Sequence, residues 1–260
     1  MKTDCDIHLK MQLHDVTIMI VDCFTFYNEL DILKRRLKYL SPVVDKFVLV
    51  ESTVTHRGVP KELYYQTHKE MFEDWEHKII HVVVDDNPTD KDPWVRENFQ
   101  RNSIMRGLVD FDDDTLVMIS DVDEVPMRTN LMLPDNCQVC SFNMTAFEYN
   151  LKYIQKIEPW FGTVMTRKKL LNEVSPQTLR NSRWNVPYYI EAGWHFSSFG
   201  DEKFVANKIK NYAHCYDDMS KDKNEDTFKT FIEKGIHADG RHTLVETTPE
   251  IMLGVPSEFK

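Results

Sequence analysis

The sequence predicts an α/β protein with a mostly parallel central sheet that is flanked by helices. In the first half of the chain, short β-branched runs of strand length alternate with segments whose apolar residues recur at helical spacing. Hydrophobic residues make up 42% of the 260 residues, which is enough to cover a sheet on both faces. The second half carries aromatic-rich, strand-like runs, so we expect a mixed sheet there.

The strands and helices of the first half alternate in a regular order. The first helix starts at Glu29 and has leucines at helical spacing until Pro42 ends it. The second helix has Asp92 as its N-cap and Pro93 in its first turn, and we expect it to extend to about residue 108. The carboxyl ends of parallel strands share one sheet edge, where open α/β sheets bind ligands. The four predicted strands cover residues 16–23, 46–50, 78–84 and 115–119.

The second half is predicted to contain fewer helices. Strand-like runs cover residues 138–154 and 188–199, and helices follow at residues 201–211 and 226–234. We expect the tail after Arg241 to be irregular. No Pro/Ser/Gly-rich linker divides the chain, so we expect a single domain over residues 1–260.

Composition excludes several classes of function. The formal net charge of −10 argues against binding to nucleic acid or to an anionic membrane surface. The 8 glycines form neither a dinucleotide-binding fingerprint nor a P-loop. The 5 cysteines have no framework spacing, which favours a reducing compartment, and no apolar run suggests a signal peptide or a membrane anchor. We therefore predict a soluble, cytoplasmic chain without an integral membrane segment.

An acidic motif follows the fourth predicted strand. Residues 120–126 read Ser-Asp-Val-Asp-Glu-Val-Pro, with three carboxylates directly after an apolar run. Asp121 and Asp123 are two residues apart, so an extended backbone presents both on one side. Such a pair can hold Mn²⁺ or Mg²⁺ and leave coordination positions for water and diphosphate oxygens. We therefore predict that Asp121 and Asp123 bind metal.

Three other interpretations of this motif remain open. The carboxylates could form an acidic turn that caps the next helix near Arg128. A phosphohydrolase of the haloacid dehalogenase type would use Asp121 as its nucleophile, with Asp217 and Asp218 as the later acidic pair. A non-catalytic protein that binds nucleotide sugars or glycans is the third alternative. It would gain little from three uncompensated carboxylates placed together.

Several blocks of the sequence, in one order, resemble glycosyltransferase family 17. The opening strand and helix match at residues 28–36, the second strand and its loop at residues 44–58, and the third strand at residues 77–80. Trp94 and Arg101 match the helix that precedes the acidic motif. The motif itself and the Ala-Gly-Trp-His-Phe-Ser run at residues 192–197 complete the resemblance, which covers roughly residues 16–240.

This resemblance implies a GT-A-like fold and an inverting transfer of a sugar. The donor is expected to be a UDP-sugar, foremost UDP-N-acetylglucosamine, with Mn²⁺ or Mg²⁺ bridging the diphosphate to the Asp-x-Asp motif. Residues 16–126 would form the nucleotide-sugar half and residues 127–240 the acceptor half. The chain departs from the family after Leu131, so the expected partner is a glycan or glycoprotein acceptor of undefined identity.

Further site residues are assigned within this framework. We expect Glu202 to be the general base, because it opens a helix after the Gly-Trp-His strand, with Glu191 as the spare candidate. A purely structural Glu202 would favour its helix dipole instead. His195 is assigned a catalytic role beside the metal or diphosphate. The donor is expected to be bound by the following residues: Glu51, Lys78, Arg101 and Asp121.

Four aromatic residues of the second half are candidates for stacking on sugar faces. Each of them is also suited to core packing. They are Trp160, Phe161, Trp184 and Tyr188.

Overall fold

A computed structural model of the chain describes residues 18–156, 159–211 and 223–260. In this part of the chain, 11 strands form one sheet with the strand order β11-β7-β6-β8-β4-β1-β2-β3, and β5, β9 and β10 pair off this path. The strands are β1 Ile20–Phe26, β2 Lys46–Ser52, β3 Ile79–Val84, β4 Leu116–Asp121, β5 Glu124–Pro126, β6 Val139–Glu148, β7 Asn150–Ile154, β8 Trp160–Arg167, β9 Tyr188–Tyr189, β10 Gly193–Ser197 and β11 Val245–Glu246.

The helices lie between and after these strands. They are α1 Leu30–Leu40, α2 Tyr64–Thr67, α3 Pro93–Asn102, α4 Lys168–Leu171, α5 Pro176–Asn181, α6 Glu202–Asn211, α7 Glu225–Lys234 and α8 Pro249–Gly254. Asp92 caps α3 as predicted, because its side chain accepts a 3.0 Å hydrogen bond from the Trp94 N–H. The helix ends earlier than residue 108, and the chain continues as a 3₁₀ segment over Ser103–Gly107.

Strand direction determines which residues meet at the functional edge of the sheet. Strands β1, β2, β3 and β4 are all parallel. Strand β8 is antiparallel to both β4 and β6, so β6 runs in the same direction as β4. Strand β10 is parallel to β6. The carboxyl ends of β1, β4, β6 and β10 therefore face the same edge of the sheet.

Alternating side chains of the parallel strands fill two separate cores. On one face, Phe24 and Phe26 pack with Leu33 and Leu37 of α1. On the other face, the core contains Val21 and Cys23 of β1, Ile104 of the 3₁₀ segment, and residues of α4 and α5. Both faces are covered, as expected for strands that are apolar throughout.

A third core lies beyond the end of β6. Val205 and Ile209 of α6 pack with Phe228 of α7, and Tyr149 and Tyr153 join them from β7 and the turn before it. This cluster fixes α6 and α7 beside the functional edge.

Several predicted boundaries differ from the observed ones. The predicted first strand begins outside the described residues, and β1 extends to Phe26. Strand β4 continues to Asp121, so the first acidic residue of the motif belongs to the strand. The tail after Arg241 is not irregular throughout, since it contains β11 and α8, with Thr248 capping α8. None of the helices in the described residues is long and apolar enough to cross a membrane; the cytoplasmic location stays a prediction.

Candidate active site

A cavity of about 470 Å³ opens at the carboxyl edge of the sheet. The ends of four strands contribute to it, and the last turns of α6 and the loop after α7 form part of its wall. The position agrees with the general placement of ligand sites in open α/β sheets. The lining residues that bear on its chemistry are Thr25, Arg101, Asp121, Asp123, Glu148, Trp160, His195, Lys208 and His237.

Asp121 lies at the cavity between two arginines. Its Oδ1 accepts hydrogen bonds from Arg101 at 2.8 Å and from the Thr25 hydroxyl at 3.2 Å, and its Oδ2 accepts one from Arg180 at 3.1 Å. Burial by itself would raise the pKa of Asp121, but Arg101 and Arg180 hold that pKa well below its ordinary value. The side chain is 36% exposed, so the ionised carboxylate also faces the cavity.

Asp123 is more enclosed and, among the described residues, has one close cationic partner. Its Oδ2 accepts a 2.9 Å hydrogen bond from the Lys208 ammonium, and its Oδ1 lies 3.7 Å from His195 Nε2. Burial raises the pKa of Asp123, but the charge of Lys208, followed by His195, lowers it below its ordinary value. The second carboxylate of the motif is therefore ionised as well.

The third carboxylate of the motif has a structural role. Glu124 is fully buried, and its Oε2 accepts a 3.0 Å hydrogen bond from the Asp121 N–H. Its Oε1 accepts a 2.9 Å hydrogen bond from Trp160 Nε1 and a further one from Arg180. Because its side chain is fully buried and does not line the cavity, Glu124 holds the turn in place and is not free to bind a metal ion.

The backbone of the acidic turn is held by an arginine from α1. Arg36 is fully buried and forms a two-pronged ion pair with Asp22, at 2.8 and 2.7 Å. The same guanidinium donates to the carbonyl oxygens of Asp121, Val122 and Glu124, at 3.3, 3.1 and 2.6 Å. The turn that presents Asp121 and Asp123 is thus held in place by the guanidinium of Arg36, which lies far from it in the sequence.

Comparison with known proteins identifies the family. The model of glycosyltransferase family 17 matches residues 1–241 of the chain. The chain belongs to glycosyltransferase family 17. This membership, together with the observed strand order, confirms the expected α/β, GT-A-like class, and it removes the phosphohydrolase alternative. Asp217 and Asp218, which that alternative required, lie outside the described residues.

Curated relatives of this family 17 chain carry one name. The rat and human proteins called beta-1,4-mannosyl-glycoprotein 4-beta-N-acetylglucosaminyltransferase are each 29% identical to it over 129 residues. The match covers 45% of this chain and 23% of the rat protein or 24% of the human protein. The chain thus matches about a quarter of the length of these relatives.

Solved structures of other glycosyltransferases are more distant. A mannosyltransferase from Pyrobaculum calidifontis, in complex with GDP-Man and Mn²⁺, is 11% identical with a TM-score of 0.43, covering 82% of this chain and 68% of that one. A glucosyl-3-phosphoglycerate synthase from Mycobacterium tuberculosis, in complex with Mn²⁺, UDP-glucose and phosphoglyceric acid, is 10% identical with a TM-score of 0.40. It covers 75% of this chain and 79% of the other.

Some of the predicted site residues of this family 17 chain meet at the cavity. Asp121, Asp123, Arg101 and His195 all line it. Arg101 is engaged with Asp121 and, at 3.1 Å, with Glu97 on its own helix. His195 stacks on Trp160, with ring centroids 4.3 Å apart and an angle of 16° between the planes. This stacking fixes the imidazole with one edge toward Asp123.

Glu51 lies at the correct edge of the sheet but does not line the cavity. It is fully buried, and its carboxylate contacts Lys61 Nζ at 3.4 Å, the Tyr65 N–H at 3.3 Å and His81 Nε2 at 3.1 Å. It is absent from the described residues that line the cavity. The structure therefore does not bring the carboxylate of Glu51 to the cavity, because Lys61, Tyr65 and His81 enclose it.

Lys78 lies at the other end of the sheet. It precedes β3, and its ammonium donates to the carbonyl oxygens of Ser41 and Val44, at 2.7 and 2.8 Å. These contacts join the amino end of β3 to the loop after α1. The structure thus does not bring Lys78 to the cavity, which lies at the carboxyl ends of the strands.

The expected general base is also not brought into the cavity. Glu202 begins α6, where Asp201 caps the helix by accepting a 2.9 Å hydrogen bond from the Phe204 N–H. Of the described residues, it is the end of this helix, at Lys208, that lines the cavity, and neither Glu202 nor the exposed spare candidate Glu191 does. The helix starts outside the site and runs toward it, so Glu202 occupies the position of a residue that favours the helix dipole.

Four important residues of the cavity region were not singled out from the sequence. Arg180, Lys208, Glu148 and His237 come from α5, α6, the end of β6 and the loop after α7. No spacing pattern links them to the Asp-x-Asp motif. A signal for Glu148 exists in retrospect, because it is a carboxylate at the end of a predicted strand.

The aromatic candidates divide into two groups. Trp160 lines the cavity, whereas Phe161 packs against Trp184 and Tyr188, with ring centroids 5.0 and 4.8 Å apart. Trp184 and Tyr188 are 42% and 51% exposed, so they leave ring surface open to solvent.

Proposed function

We propose that this chain is an inverting, metal-dependent glycosyltransferase. In this proposal it moves N-acetylglucosamine from UDP-N-acetylglucosamine to a hydroxyl group of a glycan or glycoprotein. Membership of family 17 and the names of the curated relatives support transfer of N-acetylglucosamine. The observation that carries the proposal is the pair of ionised carboxylates, Asp121 and Asp123, at the cavity on the carboxyl edge of the sheet.

The donor set at this position fits a hard divalent cation. Carboxylate oxygens are the ligands that Mn²⁺ and Mg²⁺ prefer, and these ions keep several positions for water and phosphate oxygens. Asp123 is held by one long, flexible lysine side chain and leaves Oδ1 without a close donor in the described residues. Asp121 and Asp123 would hold the ion, which would neutralise charge on the departing diphosphate.

The chain's own cations support the binding of a diphosphate. Arg101 and Lys208 line the cavity, and Lys61 adds a further positive charge to its wall. These cations lie among five carboxylates of the cavity lining, so a bound divalent ion would supply the further positive charge that a diphosphate needs. These groups would orient the donor so that its anomeric carbon faces the acceptor.

Donor binding with and without metal tests the proposal. We expect UDP-N-acetylglucosamine to raise the melting temperature in the presence of Mn²⁺, because a ligand that binds only the native state stabilises it. Asp123→Asn should lose the Mn²⁺-dependent part of this rise, whereas Asp110→Asn, a change at an exposed aspartate, should keep it. Release of UDP that continues unchanged in EDTA would contradict the metal-dependent mechanism.

A further inference from the structure

We infer that Glu148 is the general base that takes the proton from the acceptor hydroxyl, an assignment that rests on the proposed glycosyl transfer. In this step the acceptor oxygen bonds to the anomeric carbon of the donor sugar while the bond from that carbon to the diphosphate oxygen breaks. The electron pair of the broken bond leaves with the nucleoside diphosphate. The hydroxyl proton moves to a carboxylate oxygen of Glu148.

The topology brings Glu148 to the cavity. It is the last residue of β6, which runs in the same direction as β4, so it ends at the same edge as Asp121. A register shift occurs at Phe147 and Glu148, and Tyr149 follows with a φ of 66°. The chain turns away directly after Glu148, which leaves its side chain lining the cavity.

One oxygen of Glu148 is available to a ligand. The side chain is 1% exposed, and in the described residues its Oε1 has no hydrogen-bond partner. Its Oε2 accepts a hydrogen bond of 2.5 Å from Gln155 Nε2, which fixes the orientation of the carboxylate. An unpaired buried carboxylate oxygen is costly, and in this assignment the acceptor hydroxyl satisfies it.

A second unpartnered atom lies on the same side of the sheet. His195 Nδ1 is buried without a hydrogen-bond partner in the described residues. In the pairing of β10 with β6, His195 is opposite Ala146 and Ser197 is opposite Glu148. Residues two apart on a strand point to the same face, so His195 and Glu148 both address the cavity. Together they offer two polar contacts for a sugar hydroxyl.

Glu148 differs from the other carboxylates of the cavity in its neighbours. In the described part of the chain it forms no ion pair with lysine or arginine, and its ion-pair contact is His237 Nε2 at 3.8 Å. A carboxylate held by a permanent cation is a weak base, whereas an unpaired one binds a proton more readily. The other four each lie within 3.7 Å of a lysine or arginine nitrogen: Glu29, Glu97, Asp121 and Asp123.

The environment of Glu148 also increases its basicity. Burial raises its pKa above the ordinary value, although His237, the Gln155 hydrogen bond, Ser197 and His195 partly oppose that effect. The pKa values of Asp121 and Asp123 are shifted in the opposite direction. A raised pKa that remains below the working pH gives an ionised and stronger base.

His237 is positioned to orient this base. Its Nε2 lies 3.8 Å from Glu148 Oε2, and its Nδ1 lies 3.3 Å from the Asp239 backbone nitrogen and 3.2 Å from Asp239 Oδ1, so Asp239 holds the ring with Nε2 toward Glu148. The loop is closed by hydrogen bonds from the His237 N–H to the His242 carbonyl, at 2.9 Å, and from the Gly240 N–H to the His237 carbonyl, at 2.8 Å. We assign His237 a positioning role.

The test compares Glu148→Gln with the parent and with Glu173→Gln, an exposed control. Calorimetry measures binding of UDP-N-acetylglucosamine with Mn²⁺, and UDP release is measured with water and with a β-mannoside as acceptor. For Glu148→Gln we expect donor affinity within about twofold of the parent and turnover lower by about 10² to 10⁴-fold. Glu173→Gln should retain both values.

The outcomes separate this assignment from the proposed function. If the parent protein binds no UDP-sugar, or binds it without releasing UDP, the proposed glycosyl transfer is wrong, and so is the assignment of Glu148 as its general base. A parent that releases UDP, with Glu148→Gln releasing it equally fast, overturns the base alone. A Glu148→Gln variant that loses donor binding or unfolds at neutral pH indicates a structural carboxylate and also overturns the assignment.

Thermal stability and pH profiles give readouts that a structural role would not produce. The folded state binds the Glu148 proton more tightly than the unfolded chain does, because the pKa of Glu148 is raised in the fold. Ionisation of Glu148 therefore destabilises the fold as the pH rises from the ordinary Glu pKa through the raised one. Glu148→Gln removes this cost, so its melting temperature at neutral pH should equal or exceed that of the parent.

The parent's kcat/KM should fall on the acid side at a pH above about 4.3, the ordinary Glu value. In the described part of the chain, the titratable groups that face Glu148 are His195 from β10, Lys208 from α6 and His237 from the loop after α7. The acid limb should vanish in Glu148→Gln and move to higher pH in His237→Gln, because the imidazolium lowers the pKa of Glu148. A limb that persists in Glu148→Gln overturns the assignment.

Discussion

Replacing Arg36 with methionine should destabilise the protein and weaken metal binding at the same time. The change removes every hydrogen bond of the guanidinium and leaves Asp22, which is fully buried, without its ion-pair partner. Breaking a buried ion pair by removing one partner costs about 3–5 kcal/mol. Proteins have a total free energy of unfolding of about 5–15 kcal/mol, so the loss is a large fraction of it.

The same change should loosen the acidic turn. Three carbonyl oxygens of the turn, those of Asp121, Val122 and Glu124, lose their shared charged donor. The double variant Asp22→Asn/Arg36→Met removes the uncompensated charge, so it should regain part of the stability. It cannot restore the bonds to the turn, and Mn²⁺ affinity should therefore remain low.

Urea unfolding followed by tryptophan fluorescence measures the first effect, and calorimetric titration with Mn²⁺ measures the second. Arg35→Met is the matched control on the same helix, since Arg35 donates at 2.5 Å to the carbonyl of Glu258 and contacts no residue of the turn in the described structure. A loss below about 1 kcal/mol in Arg36→Met would refute the energetic argument. Parent-like Mn²⁺ affinity in the double variant would refute the proposed role of Arg36 in the turn.

Two further variants probe the site and its supporting strands. Lys208→Ala should raise Mn²⁺ affinity, measured by calorimetry, because the ammonium at 2.9 Å competes with a divalent cation for Asp123; equal or weaker affinity would contradict this. Gly193→Ala should lower the melting temperature by several degrees, since a Cβ would lie 2.5 Å from the Val125 carbonyl oxygen and would force β10 away from β5. A parent-like melting temperature would show that the strands can adjust.

Local patterns were sufficient to predict the frame of the site. The periods of apolar residues predicted the parallel strands and the helices between them, and the Asp92-Pro93 pair predicted the start of α3. Because parallel strands end at one edge, the position of Asp121 after an apolar strand also predicted the place of the cavity. These features depend on interactions between residues that are near neighbours in the sequence, so local sequence patterns are enough to predict them.

Individual side chains at that edge were predicted less well. The sequence indicates where a strand ends, but it does not show that Tyr65 and His81 contact the carboxylate of Glu51. Lys78 belongs to a block that resembles the family, but it precedes its strand and lies at the opposite edge of the sheet. Glu202 opens its helix outside the cavity, and only the far end of that helix reaches the site.

The sequence by itself determined the α/β frame, the acidic pair and the edge of the sheet that carries the cavity. Only the tertiary structure decided which groups surround the pair. Arg180 and Lys208 are 59 and 85 residues from the carboxylates that they contact, and four of the described α-helices lie between Glu148 and His237 in the sequence. Such contacts depend on strand direction and on how α6 and α7 pack, and these properties arise from the whole chain, since no local pattern of residues specifies them.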